Sequence, residues 1–280
     1  MTLQRERAPA KVNLTLRVVG RRADGYHLLD SVVTFADFGD TVTVGPADGL
    51  SLTVSGPFAA AVPADAGNLV VRAAEGLRAA AGVAAGAAIH LVKRVPVAAG
   101  LGGGSSDAAA AIRALRRLWR IAPAFDAGPV AAALGADVPM CLAGVPARIG
   151  GIGEIVTPLS GMPDLPAVLV NPGVPLATPD VFRARTGAFS DAARGADIAG
   201  DIVRGANDLT DAARLLVPAI GAVLEALGAT GGCRVARMSG SGATCFALYS
   251  DGAAALGAAR ALRRRRPGWW VRATRLKGSA

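Results

Sequence analysis

The chain has 280 residues, enough for one large or two modest domains that each bury a core. Apolar residues make up 52% of it, but Gly, Pro and charge break every apolar run, and the longest, residues 79–92, holds two glycines and His90 and is too short to span a bilayer. A formal net charge of +9 admits a polyanionic partner, while the scarcity of aromatics leaves no stacking platform for single-stranded nucleic acid.

The N-terminal M-T-L-Q-R-E-R has no hydrophobic signal core, so a cytoplasmic protein is expected. Residues 11–19 alternate and predict a strand, followed by a polar loop over 20–26 with an Asp24-Gly25 turn. Further strands are expected over 29–36, 41–44 and 50–54, joined by Gly and Asp turns. Asn68 is placed to cap a helix over 69–81. The alternating run over 88–93 predicts a strand, and helices are expected over 108–119 and 125–134, the second ending at Gly135. Strands return near Ala147 and Glu154. Pro, Gly and Ser cluster over 157–166, which suggests domains of 1–157 and 158–280.

Past that boundary, 167–170 reads as a strand and Thr178-Pro179 as a helix start with Thr178 as cap. Residues 191–204 are weakly patterned and read as a mobile loop. Two helices over 207–216 and 218–227 precede a strand, a Gly240/Gly242 loop, a strand, a helix over 253–265 and a last strand over 269–275. The pattern is α+β. The Arg263–Arg266 run closes a helix, where cations suit the dipole; a solvated helix end is preferred to a nucleic-acid patch. Cys141, Cys233 and Cys245 have no metal-ligand spacing and are expected to stay reduced and packed.

The stretch that organises the chain is Pro96-Val97-Ala98-Ala99-Gly100-Leu101-Gly102-Gly103-Gly104-Ser105-Ser106. It follows a strand and opens a helix, with Ser105-Ser106-Asp107 as expected cap and first turn. Strand, glycine loop and helix N-terminus together make an anion site, and phosphate is the expected anion; the bland alternative is a flexible loop in a glycine-rich chain. No Lys follows the last glycine, so this is not a G-x-x-x-x-G-K-[ST] loop.

P-x-x-x-G-L-G-G-G-S-S-x-A-A resembles the phosphate-binding motif of the GHMP kinases. Ala8-Pro9-Ala10-Lys11-Val12-Asn13-Leu14, Arg22-Ala23-Asp24-Gly25-Tyr26-His27, Gly135-Ala136-Asp137-Val138-Pro139 and Ser239-Gly240-Ser241-Gly242-Ala243 extend the resemblance, in the family's order, over nearly the whole chain. They point to the members that act on a cytidylated alcohol. Ala98-Ala99 departs from the pattern, where glycine is common.

The resemblance implies a two-domain GHMP-kinase-like α+β fold with the active site in the interdomain cleft. It implies ATP and Mg2+, and phosphorylation of the 2-hydroxyl of 4-diphosphocytidyl-2-C-methyl-D-erythritol in isoprenoid precursor synthesis. The alternatives are another GHMP kinase, of homoserine or mevalonate type, or a catalytically silent nucleotide- or nucleic-acid-binding protein. The expected partner is a small molecule with a cytidine diphosphate group, with no nucleic acid and no membrane, and the protein is expected as a monomer or weak homodimer.

Local sequence leaves Asp137 open between a turn cap and a catalytic base, and the resemblance implies the base. Lys11 reads locally as an edge-strand lysine pointing at water; the resemblance implies an ammonium that keeps Asp137 ionised. Only Lys11, Lys93 and Lys277 are lysines in this arginine-rich chain, which marks positions where a compact ammonium is needed. Asn13 shares Lys11's strand face and is expected to orient the substrate hydroxyl or a phosphate oxygen. Asn68, which is also a helix cap, and Lys93 are implied nucleotide contacts, and the 239–243 loop is implied to close on the phosphates. Tyr26 and His27, locally a hairpin pair, are implied to form a cytidine pocket with Phe182, with Thr178 also near ligand.

Overall fold

The computed structural model describes residues 2–193 and 197–279. In chain order the first elements are β1 (Gln4–Asn13), β2 (Arg17–Arg21), β3 (His27–Gly45), β4 (Leu50–Ser55), α1 (Leu69–Ala80), β5 (Ala87–Val92), α2 (Gly103–Leu118), α3 (Gly128–Leu134) and α4 (Val138–Ala143). Then come β6 (Ala147–Gly150), β7 (Ile155–Pro158), β8 (Leu165–Asn171), α5 (Thr178–Ala184), α6 (Ile198–Arg204), α7 (Thr210–Leu216), α8 (Ala219–Gly228), β9 (Cys233–Met238), β10 (Cys245–Tyr249), α9 (Gly252–Arg265) and β11 (Trp270–Leu276). The fold is α+β, as the sequence pattern predicts.

Compactness divides the chain into two units that interleave in sequence. Unit 1 holds the residues up to Ala10, Gly39–Val97 and Gly102–Gly144; unit 2 holds Lys11–Phe38, Ala98–Leu101 and the residues from Val145 onward. This differs from a single cut between 157 and 158, because β1, β3 and the glycine loop each contribute residues to both units.

In unit 1, β5 pairs antiparallel with the second half of β3 and parallel with β4. Helices α1 to α4 cover this sheet. Val42, Leu52, Val70, Leu77, Ile89, Leu91, Ile112, Leu115 and Val138 form its apolar core. Side chains along β5 alternate between core and solvent, the period of a strand with one wet face. Arg113 and Arg117 of α2 both pair with Glu6 of β1, at 3.1 and 2.6 Å.

In unit 2, β11, β8, β10 and β9 form an antiparallel run. Helices α7, α8 and α9 bury Leu209, Ile220, Val223 and Leu262 in one core with Val168, Val170, Met238 and Val271 from the strands.

Several expected elements are corrected by the structure, each because a distant partner outweighs the local signal. Residues 11–19 are not one strand. The chain breaks between β1 and β2, where Leu14 N–H donates to Val32 O and Leu16 N–H to Ala206 O. No turn interrupts β3 near residues 37–40. Asp40 is held in the strand because its carboxylate accepts from the backbone N–H groups of Arg94 and Val95. Gly39 is there for close approach: a Cβ on it would collide with the Ala8 carbonyl and lie 2.5 Å from Pro9 Cα.

The segment after Asp137 is a short helix, α4, with Pro139 in its first turn, where a missing N–H costs nothing. Residues 191–204, expected as a mobile loop, include helix α6. Its Asp201 pairs with Arg17 at 2.6 Å and Arg148 at 2.7 Å, partners invisible to a local pattern. Positions 194–196 of that stretch lie outside the described residues. The three cysteines are free thiols, with Cys141 and Cys245 buried as expected. No helix among the described residues is long and apolar enough to cross a membrane.

Gly39→Ala is expected to destabilise the protein by about 2 kcal/mol, the usual scale of overpacking against backbone. A lowered urea midpoint with unchanged slope is the expected result; an unchanged midpoint would show that β1 can yield without cost.

Candidate active site

The glycine loop leaves β5 and enters α2 through backbone that glycine favours. Gly100 and Gly102 have φ of 72° and 59°, and Ala98, where the family pattern favours glycine, has φ of 50°. An alanine in this region costs roughly 1 kcal/mol, so the start of the loop is stiffer than a glycine would leave it. The helix does not start at Ser105. Its cap is Gly102 in the left-handed conformation, with no side-chain hydrogen bond. Ser106, expected near the cap, is buried inside α2, and its hydroxyl donates to Cys141 Sγ at 3.4 Å. The N-cap residue therefore adds no side-chain hydrogen bond to the first turn of α2, whose leading N–H groups have no intrahelical acceptor. That is the arrangement an incoming phosphate oxygen requires.

The middle of the loop is fixed within unit 2. Ser239 Oγ donates to Gly100 O at 3.0 Å, and Thr244 N–H to Ala99 O at 3.2 Å. A Cβ on Gly100 would lie 2.8 Å from both N and O of Gly242. The 239–243 loop thus grips the glycine loop by its backbone.

Lys11 is buried, contrary to the edge-strand reading. Its backbone N–H donates to Leu101 O at 2.9 Å, and its Nζ donates to Asn13 Oδ1 at 2.9 Å. Asn13 Nδ2 in turn donates to Ser31 Oγ at 2.8 Å, which orients the amide with its oxygen towards the ammonium. Asn13 N–H donates to Ser239 Oγ at 3.1 Å, so the strand bearing Lys11 and the loop gripping Gly100 share one hydroxyl.

Asp137 belongs to unit 1 and stands at the N-cap position of α4, yet makes no side-chain cap hydrogen bond there. The local cap reading fails on that point.

Two residues expected to touch nucleotide are engaged inside unit 1. Asn68 Oδ1 accepts from Val70 N–H at 2.9 Å and caps α1, while its Nδ2 donates to Pro63 O at 2.6 Å. Lys93 is buried with its Nζ 2.6 Å from Asp40 Oδ2 and 2.6 Å from Asp107 Oδ2. Asp107, expected in the first turn, is buried beside this ammonium and lies further into α2, which starts at Gly103. Burial pushes its carboxyl up to about 8, against the pull of Lys93. Sequence reasoning missed Asp40 and Asp107; the persistence of Lys93 among so many arginines was the signal that could have found them.

In unit 2, His27 and Phe182 stack on each other with ring centroids 5.1 Å apart and planes 23° apart. Partial burial, then Arg21 and Arg185, hold the His27 imidazole below its ordinary value. Tyr26 does not join the stack; its side chain is 61% exposed beside the turn. Thr178 is not the cap of α5, a position held by Ala177. Its hydroxyl instead bonds Ser241 Oγ at 2.7 Å, placing it on the 239–243 loop.

Comparison with known proteins matches residues 68–145 to the GHMP kinases N terminal domain and residues 185–267 to the GHMP kinases C terminal domain. A 4-diphosphocytidyl-2-C-methyl-D-erythritol kinase of Paramagnetospirillum magneticum is 53% identical over 94% of this chain and 95% of its own length. One of Rhodospirillum rubrum is 48% identical over 98% and 92%. A crystal structure of 4-(cytidine 5'-diphospho)-2C-methyl-D-erythritol kinase superposes with a TM-score of 0.85 at 37% identity, covering 98% of this chain and all of that one. A homoserine kinase from Cytophaga hutchinsonii shares the fold at a TM-score of 0.73 and 18% identity. With half its residues identical over nearly the full length of such relatives, the chain belongs to the 4-diphosphocytidyl-2-C-methyl-D-erythritol kinase family of the GHMP kinases.

Proposed function

We propose that this protein transfers the γ-phosphoryl group of Mg-ATP to the 2-hydroxyl of 4-diphosphocytidyl-2-C-methyl-D-erythritol. The observation behind this reading is the glycine loop, which runs into α2 with a left-handed glycine cap that adds no side-chain hydrogen bond to the first turn. Relatives named for that substrate supply the acceptor. Among the described residues no three His, Cys, Asp or Glu side chains form a group that could hold a metal ion. Magnesium is accordingly read as arriving on the phosphates of ATP, as part of the substrate.

In this reading the loop residues 96–106 receive the phosphates through backbone N–H groups. The substrate oxygen bonds to the γ-phosphorus as the bond to the β-phosphate oxygen breaks, and Asp137 takes the hydroxyl proton. Lys11 supplies positive charge to the reacting groups, held in place by Asn13. An ammonium suits that task because a guanidinium fork would not fit beside the same amide without displacing it. His27, Phe182 and Tyr26 receive the cytosine. A neutral imidazole offers one donor and one acceptor to the base edge, and the exposed Tyr26 ring is available to stack. Thr178 supports this side of the ligand through the 239–243 loop.

The direct test is ADP release from Mg-ATP with a panel of alcohols. Turnover is expected with the cytidylated substrate and not with homoserine, mevalonate or the substrate lacking its cytidine. Salt-sensitive binding of DNA or RNA without ATP turnover would instead support a silent binding protein.

Asp137→Asn is expected to keep the fold and ATP binding and to lose at least ~10²-fold in kcat; near-normal kcat in a folded variant would remove Asp137 from the base role. Lys11→Arg is expected to impair turnover too, with full activity as the contrary outcome. Tyr26→Ala and Phe182→Ala are each expected to raise KM for the cytidylated substrate by roughly tenfold, because stacking is worth about 1–3 kcal/mol per base and binds ground and transition states alike. Their KM for ATP should stay near normal. If ATP binding weakens and the alcohol is spared, these aromatics serve the nucleotide instead.

A further inference from the structure

Asp40, Lys93 and Asp107 form a buried cluster whose members reach both ends of the glycine loop within unit 1. Asp40 Oδ1 accepts from Arg94 N–H at 2.5 Å and Val95 N–H at 2.8 Å, fixing the backbone just before the loop. Its Oδ2 accepts from Lys93 Nζ at 2.6 Å. The same ammonium donates to Asp107 Oδ2 at 2.6 Å, and Asp107 lies on α2 just after the loop. The ammonium also passes under the first residue of α2: a Cβ on Gly103 would sit 3.0 Å from Lys93 Nζ and 3.6 Å from Val95 Cγ1. One ammonium therefore spans from the chain entering the loop to the chain leaving it.

The charge count of the cluster is uneven. Two carboxylates and one ammonium would leave a net negative charge out of contact with water, a costly state. Asp40 accepts from three donors, Lys93 Nζ and the backbone N–H groups of Arg94 and Val95. Asp107 has Lys93 on one oxygen, while its Oδ1 is buried without a hydrogen-bond partner. The charged groups facing it are Lys93 and Asp40. Arg94 turns its guanidinium to Thr41 Oγ1. The helices packed on α2 add apolar side chains, Val70, Ala73 and Leu77 from α1 and Val138 and Met140 from α4, together with the Cys141 thiol. A proton on Asp107 makes the cluster neutral.

We propose that Asp40, Lys93 and Asp107 are positioning residues for the phosphate loop: Lys93 sets the distance between the loop's two ends, and Asp107 carries a proton while the loop is in its nucleotide-binding form. The proposal rests on the reading of this loop as the ATP site, and none of the three residues contacts substrate in it.

The test uses the full-length enzyme and two variants. Lys93→Met is expected to raise KM for ATP about tenfold or more with kcat changed less than about threefold, the signature of lost uniform binding. Asp107→Asn keeps an acceptor for Lys93 and cannot ionise. It is expected to match the unaltered enzyme at pH 7. In the unaltered enzyme KM for ATP should rise above pH 8, about tenfold per unit once the proton is gone, and in Asp107→Asn it should stay flat. A second readout does not involve ATP. A carboxyl raised in the folded state stabilises it fully below the ordinary carboxylate range, and that stability is lost as pH rises through about 8. The urea midpoint of the unaltered protein should fall over that window relative to Asp107→Asn. An alkaline limb of equal size in both proteins, or parallel urea midpoints, overturns the proton. If Lys93→Met folds and its KM is unchanged, the spacing role is overturned; if it does not fold, the two pH profiles still decide. Failure of the unaltered protein to bind ATP at any pH overturns the nucleotide reading and the positioning role with it, while the urea comparison still decides the proton.

Discussion

A buried ammonium has to replace its lost water with partners, and that requirement shapes the surroundings of the glycine loop in unit 1. Lys93 has two carboxylates at 2.6 Å, one from β3 and one from α2. Removing Asp40 would leave the ammonium uncompensated in the interior, which costs far more than a surface ion pair returns, and removing Asp107 would take away one of its two hydrogen-bond acceptors. The cluster therefore restricts how β3, the end of β5 and the start of α2 can sit together. A Cβ at 103 would sit 3.0 Å from the ammonium, so a side chain there would have to push Lys93 aside by a few tenths of an ångström.

The second constraint is backbone accommodation at the loop's centre. Gly100 meets the 239–243 loop so closely that a side chain has no room, and the hydroxyl of Ser239 is shared between Gly100 O and Asn13 N–H. That hydroxyl links the strand bearing Lys11 to the glycine loop through two ordinary hydrogen bonds. Its cost of loss would exceed one bond, because both backbone groups would be left unpaired in a buried place.

What the sequence made legible follows from how local each signal is. The Asn68 cap, the alternation of β5 and the Gly135 stop of α3 depend on neighbours in the chain, and the structure has them where the pattern puts them. The continuity of β3 through Asp37, Gly39 and Asp40 was not legible. Asp and Gly in sequence normally mean a turn, and here Asp40's partners lie more than 50 residues away. Helix α6 was hidden for the same reason, since Asp201 answers to Arg17 and Arg148. Ser105 looked like a cap because serine usually is one, but the glycine before it can take the left-handed conformation and starts the helix earlier. The interleaving of the two units was invisible as well, because a composition shift near residue 157 says nothing about a strand shared between them.

The lysine count carried more than its small size promised. Arg237 shows what the chain does elsewhere with a buried cation: its guanidinium donates to the carbonyls of Leu14, Ile202 and Val203, and burial lowers it to about 10. A planar fork with five donors suits several carbonyls spread around it. Lys93 faces the opposite geometry, two carboxylate oxygens converging on one point with a glycine Cα close above. A compact ammonium can donate to both at once from that one point. Lys11, buried against Asn13 Oδ1, is likewise held at a single converging point. Lys277 meets no such demand: it is exposed and bonds through its backbone, donating to Phe35 O and accepting from Thr34 Oγ1. Rarity alone therefore separates nothing in this chain; rarity combined with burial singles out Lys11 and Lys93, and both lie against the glycine loop.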